Sequence, residues 1–322
     1  MTAVPPRESA AGNSVSQTPQ FLPPVAMHLI ESRFVRQTFR IQVMRPACTP
    51  GEQAELPVVY ATDGNFVFDV LKGISYSLQT YARDAPRYIL VGIGYPSDSP
   101  VAGYSLRGRD MTFAGYPRFS DEPYPMEGVL IPDAGGRRHE GADDFLRFIA
   151  EELIPLIDEN YPTRRGDRTY FGHSLGGAFG LYTLFTKPEL FGRFIVSSPA
   201  AIYDGVSSAG IRYQNYDFVL EVARGFIRTG QALAGVKLHL CVGEEEEFEP
   251  EYAQWQLVSS FFRLSRLLRE ARIAGLRVTA EVLAGESHMT SWPLAFMHGI
   301  QAVFGTRDRG VKLNDAAAST GE

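Results

Sequence analysis

Apolar and polar positions along this chain fall into blocks whose period switches between two and about 3.6 residues. "FRIQVMRP" (39–46) alternates as a half-buried strand does, "LPVVYATDG" (56–64) is a short apolar run ending in Asp-Gly, and "RYILVGIGYP" (87–96) is a continuous one closed by Gly and Pro. Between them "NFVFDVLKGISYSLQTYA" (65–82) has helical spacing. "DDFLRFIAEELIPLIDENY" (143–161) sets Phe145, Phe148, Ile149, Leu153 and Leu156 on one helical face, with Asp143 or Asp144 placed to cap its start. "RTYFGHS" (168–174) then reads as a strand, "LGGAFGLYTLFTKPELF" (175–191) as a helix and "GRFIVSSPA" (192–200) as a buried strand. "VKLHLCVGE" (236–244) and "LRVTAEVLAG" (276–285) are two more strands, separated by a helix in which Trp255, Val258, Phe262 and Leu267 repeat. Strands alternating with helices over this length predict an α/β fold with a mostly parallel central sheet covered by helices.

The ends break the pattern. Residues 1–25 are rich in Pro, Ser, Thr and Gln, and "VKLNDAAASTGE" closes the chain, so a single domain over 26–306 is expected between tails 1–25 and 307–322. With 322 residues, 44% of them hydrophobic, the chain can bury one large core, and no second composition regime or internal repeat divides it. A net charge of -6 gives no broad cationic surface, so no nucleic-acid partner is expected, and the 27 arginines against four lysines read as coding bias. Cys48 and Cys241 are too few for a disulfide framework, and Cys241 falls inside an apparent buried strand. The N-terminus lacks the apolar core of a secretory signal, and no run approaches the ~18 apolar residues of a membrane span. Cytoplasmic residence with no membrane partner is the default expectation, and oligomeric state is not legible.

The chemistry concentrates in "TYFGHSLGGAFGLY" (169–182), where Gly172-His173-Ser174-Leu175-Gly176 fits G-x-S-x-G between an expected strand and an expected helix. In that setting the serine stands on a turn too tight for side chains two residues to either side, at a helix N-terminus that favours developing negative charge. The bland alternative is a glycine-rich turn that only permits close packing. A serine hydroxyl needs a base to take its proton. Of the six histidines, the chain order Ser, acid, His removes His28, His139, His173 and His239. His298 lies in an amphipathic helix pattern, whereas His288 follows a strand and a glycine-containing loop that deliver it to the C-terminal edge of the sheet. His173 is expected as a wall of the site.

The acid that orients the base is expected in the loop after the preceding strand, "GEEEEFEPEY" (243–252), with Glu244, Glu245, Glu246 and Glu247 as candidates and Asp204 as a competitor from the strand before. Acid runs are usually solvated, and the others keep that reading. Oxyanion amides are expected from Leu175 and from the "TDGN" turn, at Gly64 or Asn65. In "SLRGRDMTF", Arg107, Arg109 and Asp110 form either an internal ion pair or an anion-binding arginine at the site rim. "VGIGYPSD" fails the dinucleotide fingerprint, no phosphate loop is present, and His139, Glu140, Asp143 and Asp144 have no helical ligand spacing, so neither cofactor nor metal is expected.

These segments resemble the esterase branch of the α/β-hydrolases, in particular the intracellular siderophore esterases that open ferric enterobactin or bacillibactin. The likeness spans about Phe39 to Phe304 and rests on "YATDGNFVF", "LVGIGYP", "RGRDMT", "GADDFLRFIAEELIPLIDENYP", "YFGHSLGGAFGLYTLF", "PELFGRFIVSSPA" and "VGEEEE". It implies an α/β-hydrolase fold with helices on both faces of the sheet, Ser174 as nucleophile, His288 as base, and the amides of Gly64 and Leu175 as oxyanion hole. An acid three residues beyond the glycine that ends the preceding strand selects Glu246. Where these esterases often carry aromatic residues after Ser-Ser-Pro, this chain has "AAIYD", which takes an expected stacking platform for catechol rings out of that stretch. The expected activity is serine carboxylic-ester hydrolysis of a small-molecule ester, with Asn65, Arg109 and His173 as candidate substrate contacts. Acyl transfer to an alcohol is the alternative within the fold, and a catalytically silent binding protein the alternative outside it.

Overall fold

The structure, a computed structural model, describes residues 22–46, 54–96, 100–117, 139–207 and 210–313; Cys48 and residues 1–21 of the expected N-terminal tail lie outside the described residues. In chain order the strands are β1 (Val25–Glu31), β2 (Thr38–Met44), β3 (Leu56–Ala61), β4 (Ile89–Gly94), β5 (Thr163–His173), β6 (Arg193–Ser197), β7 (Tyr203–Val206), β8 (Arg212–Tyr216), β9 (Val236–Gly243), β10 (Leu276–Leu283) and β11 (Val311–Lys312). The helices are α1 (Gly64–Tyr76), α2 (Pro100–Met111), α3 (Ala142–Phe148), α4 (Ile154–Asn160), α5 (Leu175–Thr186), α6 (Phe218–Thr229), α7 (Leu257–Ala271) and α8 (His288–Phe304). All strands but β7 and β8 join one sheet in the order β1-β2-β4-β3-β5-β6-β9-β10-β11, while β7 and β8 pair as a separate hairpin. From β4 through β10 the pairings are parallel, and β1, β2 and β11 are antiparallel additions at the two edges.

Both faces of the sheet are covered, which is why its central strands read as unbroken apolar runs. On one face Val59, Ala61, Leu90, Phe171 and Ile195 pack with Phe68 and Leu71 of α1 and Phe296 and Ile300 of α8. On the other, Val58, Tyr60, Val91, Tyr170 and Val196 pack with Phe145, Phe179, Leu184 and Leu264 from α3, α5 and α7. Each fully buried Phe or Leu contributes roughly 1.5–3 kcal/mol by leaving water. Among the described residues no helix is long and apolar enough to cross a membrane.

The expected elements are present with three corrections. The helix at 143–161 begins at Ala142 behind Gly141, with no side-chain cap; Asp143 and Asp144 lie inside its first turn, where their charge suits the helix dipole. A π-helical stretch at Ile149–Leu153 then rotates the face, so Phe145, Phe148, Ile149 and Leu153 are buried while Leu156 is only half-buried. In α7 the inner face is Leu257, Phe261, Leu264 and Leu268, and Phe262 is 57% exposed. Trp255 lies before that helix, separated from it by Gln256, whose left-handed φ of 44° breaks the helical phase between them. Finally, inside the expected tail 307–322, Val311–Lys312 pairs with β10 after Gly310 turns the chain at φ 67°.

A polar cluster joins α8 to β9 and β10. His239 Nδ1 is 2.9 Å from Thr279 Oγ1, and His298 Nδ1 is 3.0 Å from Glu281 Oε1. Burial, reinforced by His298 and Arg309 and opposed by Glu281, pushes His239 down from its ordinary 6.5 to about 4. Between those values the unfolded chain binds a proton that the folded chain does not, so stability present above pH 6.5 is lost as pH falls towards 4. The full loss from this group is about 3 kcal/mol. Urea midpoints measured from pH 7.5 to 4.5 should fall steadily, and His239→Leu should flatten that slope.

Candidate active site

The parallel strands end on one edge, and the residues expected to carry chemistry gather there, as they do in open α/β sheets generally. β5 ends at His173 and α5 begins at Leu175, so Ser174 occupies the whole turn with φ 56° and ψ -118°. The turn closes on itself. A Cβ on Gly172 would lie 2.3 Å from the Gly176 carbonyl oxygen, and one on Gly176 would lie 2.6 Å from Thr62 Oγ1. The Ser174 amide donates to the Ser197 carbonyl at 2.9 Å, fixing the turn to the end of β6.

Gly176 abuts Thr62 and Asp63, so the N-terminus of α5 meets the turn that opens α1. Gly64 is the first residue of α1 and Leu175 the first of α5, positions whose amides have no partner within their helix. Asp63 precedes Gly64 in the left-handed region at φ 59°. Arg107 of α2 grips its carboxylate twice, Nε to Oδ1 at 2.6 Å and Nη2 to Oδ2 at 3.0 Å. The arginine on the site side of "RGRD" is therefore Arg107.

Arg109 is a correction. It is 2% exposed and donates to its neighbour Asp110 at 2.5 and 2.9 Å, so it forms the internal ion pair rather than a rim contact. Asn65 is another. Its side chain donates to the Tyr95 carbonyl at 2.8 Å and accepts from the Tyr95 amide at 2.5 Å, clamping α1 to the end of β4. His173 packs against His288, with ring centroids 4.5 Å apart. Its Nδ1 lies 3.0 Å from Ser197 Oγ, and burial, helped by His288 and Arg107, holds it well below its ordinary pKa and therefore neutral.

His288 is the first residue of α8, not a loop residue, and Ser287 caps that helix in a reciprocal box with Thr290. The imidazole is 3% exposed and lies between two rings, His173 at 4.5 Å and Tyr252 at 4.1 Å between centroids. Its Nδ1 is 2.8 Å from Glu246 Oε2. Glu246 is fully buried, and its other oxygen accepts from the Gly243 amide and the Ser198 hydroxyl, each at 2.6 Å. Asp204 instead pairs with Arg212 at 3.5 Å and takes a bond from Gln256.

Of the neighbouring glutamates, Glu244 and Glu245 are exposed, as expected of a solvated run, while Glu247 and Glu249 are half-buried, and three of the four fasten backbone amides. Glu244 accepts from the Gly285 amide at 2.9 Å and Glu249 from the His288 amide at 2.7 Å. Glu247 takes both the amide and the hydroxyl of Ser259, each at 2.6 Å, in the first turn of α7. Carboxylates on backbone amides make strong, charge-assisted bonds. Ser198, Tyr252 and Glu249 lie within "GRFIVSSPA" and "GEEEEFEPEY", but no spacing rule gives them a role at the site. Among the described residues no three His, Cys, Asp or Glu side chains are grouped to hold a metal ion.

An elbow serine, a buried histidine–carboxylate pair and two helix N-termini share one edge of a sheet with the α/β-hydrolase fold. Residues 129–302 match the family described as "Putative esterase", and the chain belongs to that family. The chain is 29% identical over 279 residues to the ferri-bacillibactin esterase BesA of Bacillus subtilis, covering 85% of this chain and 87% of that one. It is 32% identical over 197 residues to the siderophore enterobactin esterase of Emericella nidulans, covering 59% and 58% of the two chains. Among solved structures, the siderophore hydrolase EstA from Aspergillus nidulans superposes with a TM-score of 0.72 at 22% identity, over 94% of this chain and all (100%) of that one.

The elbow geometry has a direct consequence for stability. Gly172→Ala should cost about 3 kcal/mol or more, because the new methyl meets backbone that cannot retreat. Gly73→Ala in α1, with nothing within 4 Å of its Cβ, should be neutral or stabilise by about 0.5–1 kcal/mol. Urea unfolding of the two variants side by side checks both.

Proposed function

We propose that residues 26–306 act as one catalytic domain that hydrolyses the ester bonds of a siderophore through an acyl-enzyme on Ser174. The observation that carries this reading is the 2.8 Å contact between His288 Nδ1 and buried Glu246, on the sheet edge where the Ser174 elbow stands. The relatives named for bacillibactin and enterobactin support the substrate class.

In this mechanism Glu246 accepts from Nδ1–H and so leaves Nε2 of His288 as the basic nitrogen. Nε2 takes the proton of the Ser174 hydroxyl as its oxygen attacks the ester carbonyl. The oxyanion that forms lies on the amides of Leu175 and Gly64, aided by the dipoles of α5 and α1. His288 then gives its proton to the departing alkoxide, releasing the alcohol and leaving an acyl ester on Ser174. Water, deprotonated by the same nitrogen, attacks that ester, and collapse of the second tetrahedral intermediate restores the serine. His173, neutral and held by Ser197, walls the imidazole on one side and Tyr252 on the other. Arg107 steadies the turn that presents the Gly64 amide.

A fluorophosphonate should label Ser174 alone, and Ser174→Ala should abolish hydrolysis of a panel of catechol siderophores, simple acyl esters and feruloyl esters. Glu246→Gln should lower kcat about ten-thousandfold, the loss expected when a triad base loses its orienting acid. Glu244→Gln, at a carboxylate that accepts from the Gly285 amide, should change kcat no more than a few-fold. Equal, small losses in both variants would overturn the triad, and turnover confined to simple esters would overturn the siderophore assignment.

A further inference from the structure

We propose that Ser198 is a positioning residue for the Ser174–His288–Glu246 machinery, holding the Glu246 carboxylate in the rotamer that meets the base. This rests on the reading of Glu246 as the triad acid.

Ser198 is fully buried, follows β6 directly, and donates its hydroxyl to Glu246 Oε1 at 2.6 Å. A serine has one hydroxyl proton, and an ionised carboxylate can only accept, so the proton is committed to this bond. The other hydroxyls near it, Ser197 at 3.4 Å and Ser291 at 3.3 Å, are more distant than Glu246, and Ser291 donates to the His288 carbonyl at 3.2 Å. With no water-accessible surface, Glu246 depends for its orientation on three donors: the Gly243 amide, Ser198 and His288. The first is backbone and the last is the group being oriented. Ser198 is the side chain that fixes the plane of the carboxylate.

Its backbone makes the same point. Ser198 has φ 46°, a left-handed conformation that glycine adopts far more readily, and its amide is held by the Cys241 carbonyl at 2.7 Å. A glycine would fit the turn with less strain and would leave Glu246 Oε1 with only the Gly243 amide. The neighbouring Ser197 hydroxyl lies 3.0 Å from His173 Nδ1. Consecutive serines at the end of β6 thus serve the two histidines that lie against each other, Ser197 touching one directly and Ser198 reaching the other through Glu246.

Ser198→Gly and Ser198→Ala test this in the full chain, because the two remove the same hydroxyl while differing in backbone strain. Both should lower kcat about tenfold with KM within about twofold, and Ser198→Gly should keep its melting temperature within a few degrees of wild type. Both should also move the acid limb of kcat/KM to higher pH, since a carboxylate that loses a donor holds the imidazolium more strongly. Wild-type kcat with an unshifted acid limb in Ser198→Gly would overturn the proposal. So would a loss that merely tracks the folded fraction. Fluorophosphonate labelling of wild type separates the two levels: with Ser174 labelled, such results remove Ser198 alone. An unlabelled wild type, or full activity in Glu246→Gln, removes the triad and Ser198 with it.

Discussion

A carboxylate with no exposed surface, 2.8 Å from an imidazole, is the constraint around which this sheet edge is built. Burying an ionised group is costly unless every lone pair in reach of a donor is used. Glu246 meets that demand with the Gly243 amide, the Ser198 hydroxyl and His288. Each partner imposes something further. Gly243 has no room for a side chain, since a Cβ there would lie 2.4 Å from the Glu286 carbonyl oxygen and 2.8 Å from Glu246 itself. Ser198 must turn left-handed to aim its hydroxyl, and His288 must begin a helix rather than hang on a loop.

The same demand explains how two loops from adjacent parallel strands hold one geometry. β9 and β10 pair in register up to Gly243 and Leu283, after which ladder bonds cease. Carboxylate-to-amide bonds take over, Glu244 to Gly285 and Glu249 to His288, with the Glu245 amide donating to the Glu286 carbonyl. The acidic run therefore continues the sheet by other means. On the opposite side of Ser174, the bidentate Arg107–Asp63 pair and the Asn65 clamp on Tyr95 fix the turn that opens α1.

Much of this was legible in the residues. A parallel sheet buried on both faces writes itself as apolar runs, and G-x-S-x-G between a strand and a helix marks its own turn, so β3 to β6, β9, β10 and Ser174 follow from pattern alone. Long-range pairing of side chains leaves no such mark. That Arg107 rather than Arg109 reaches Asp63, 44 residues away along the chain, depends on how α2 packs. Local pattern also fails where the backbone breaks helical phase, as at Gln256 before α7 and in the π-helical stretch after α3. β1 escaped notice because it is an edge strand with Met27 and Leu29 exposed, so its burial carries little of the alternation a core strand has.

The glutamate run separates two kinds of charge that composition cannot tell apart. Spacing from Gly243 ranks its members by place in the chain, but their roles follow from which amides lie unpaired nearby. Helix starts at His288 and near Ser259, and the turn at Gly285, each present an amide that the sheet and helices leave without a partner. A carboxylate one methylene longer than that of aspartate reaches those donors across a loop, which makes glutamate the economical choice at 244, 247 and 249. Position 246 differs in its full burial and in that its donors include an imidazole, which together convert a loop-fastening carboxylate into one able to set the tautomer of a base.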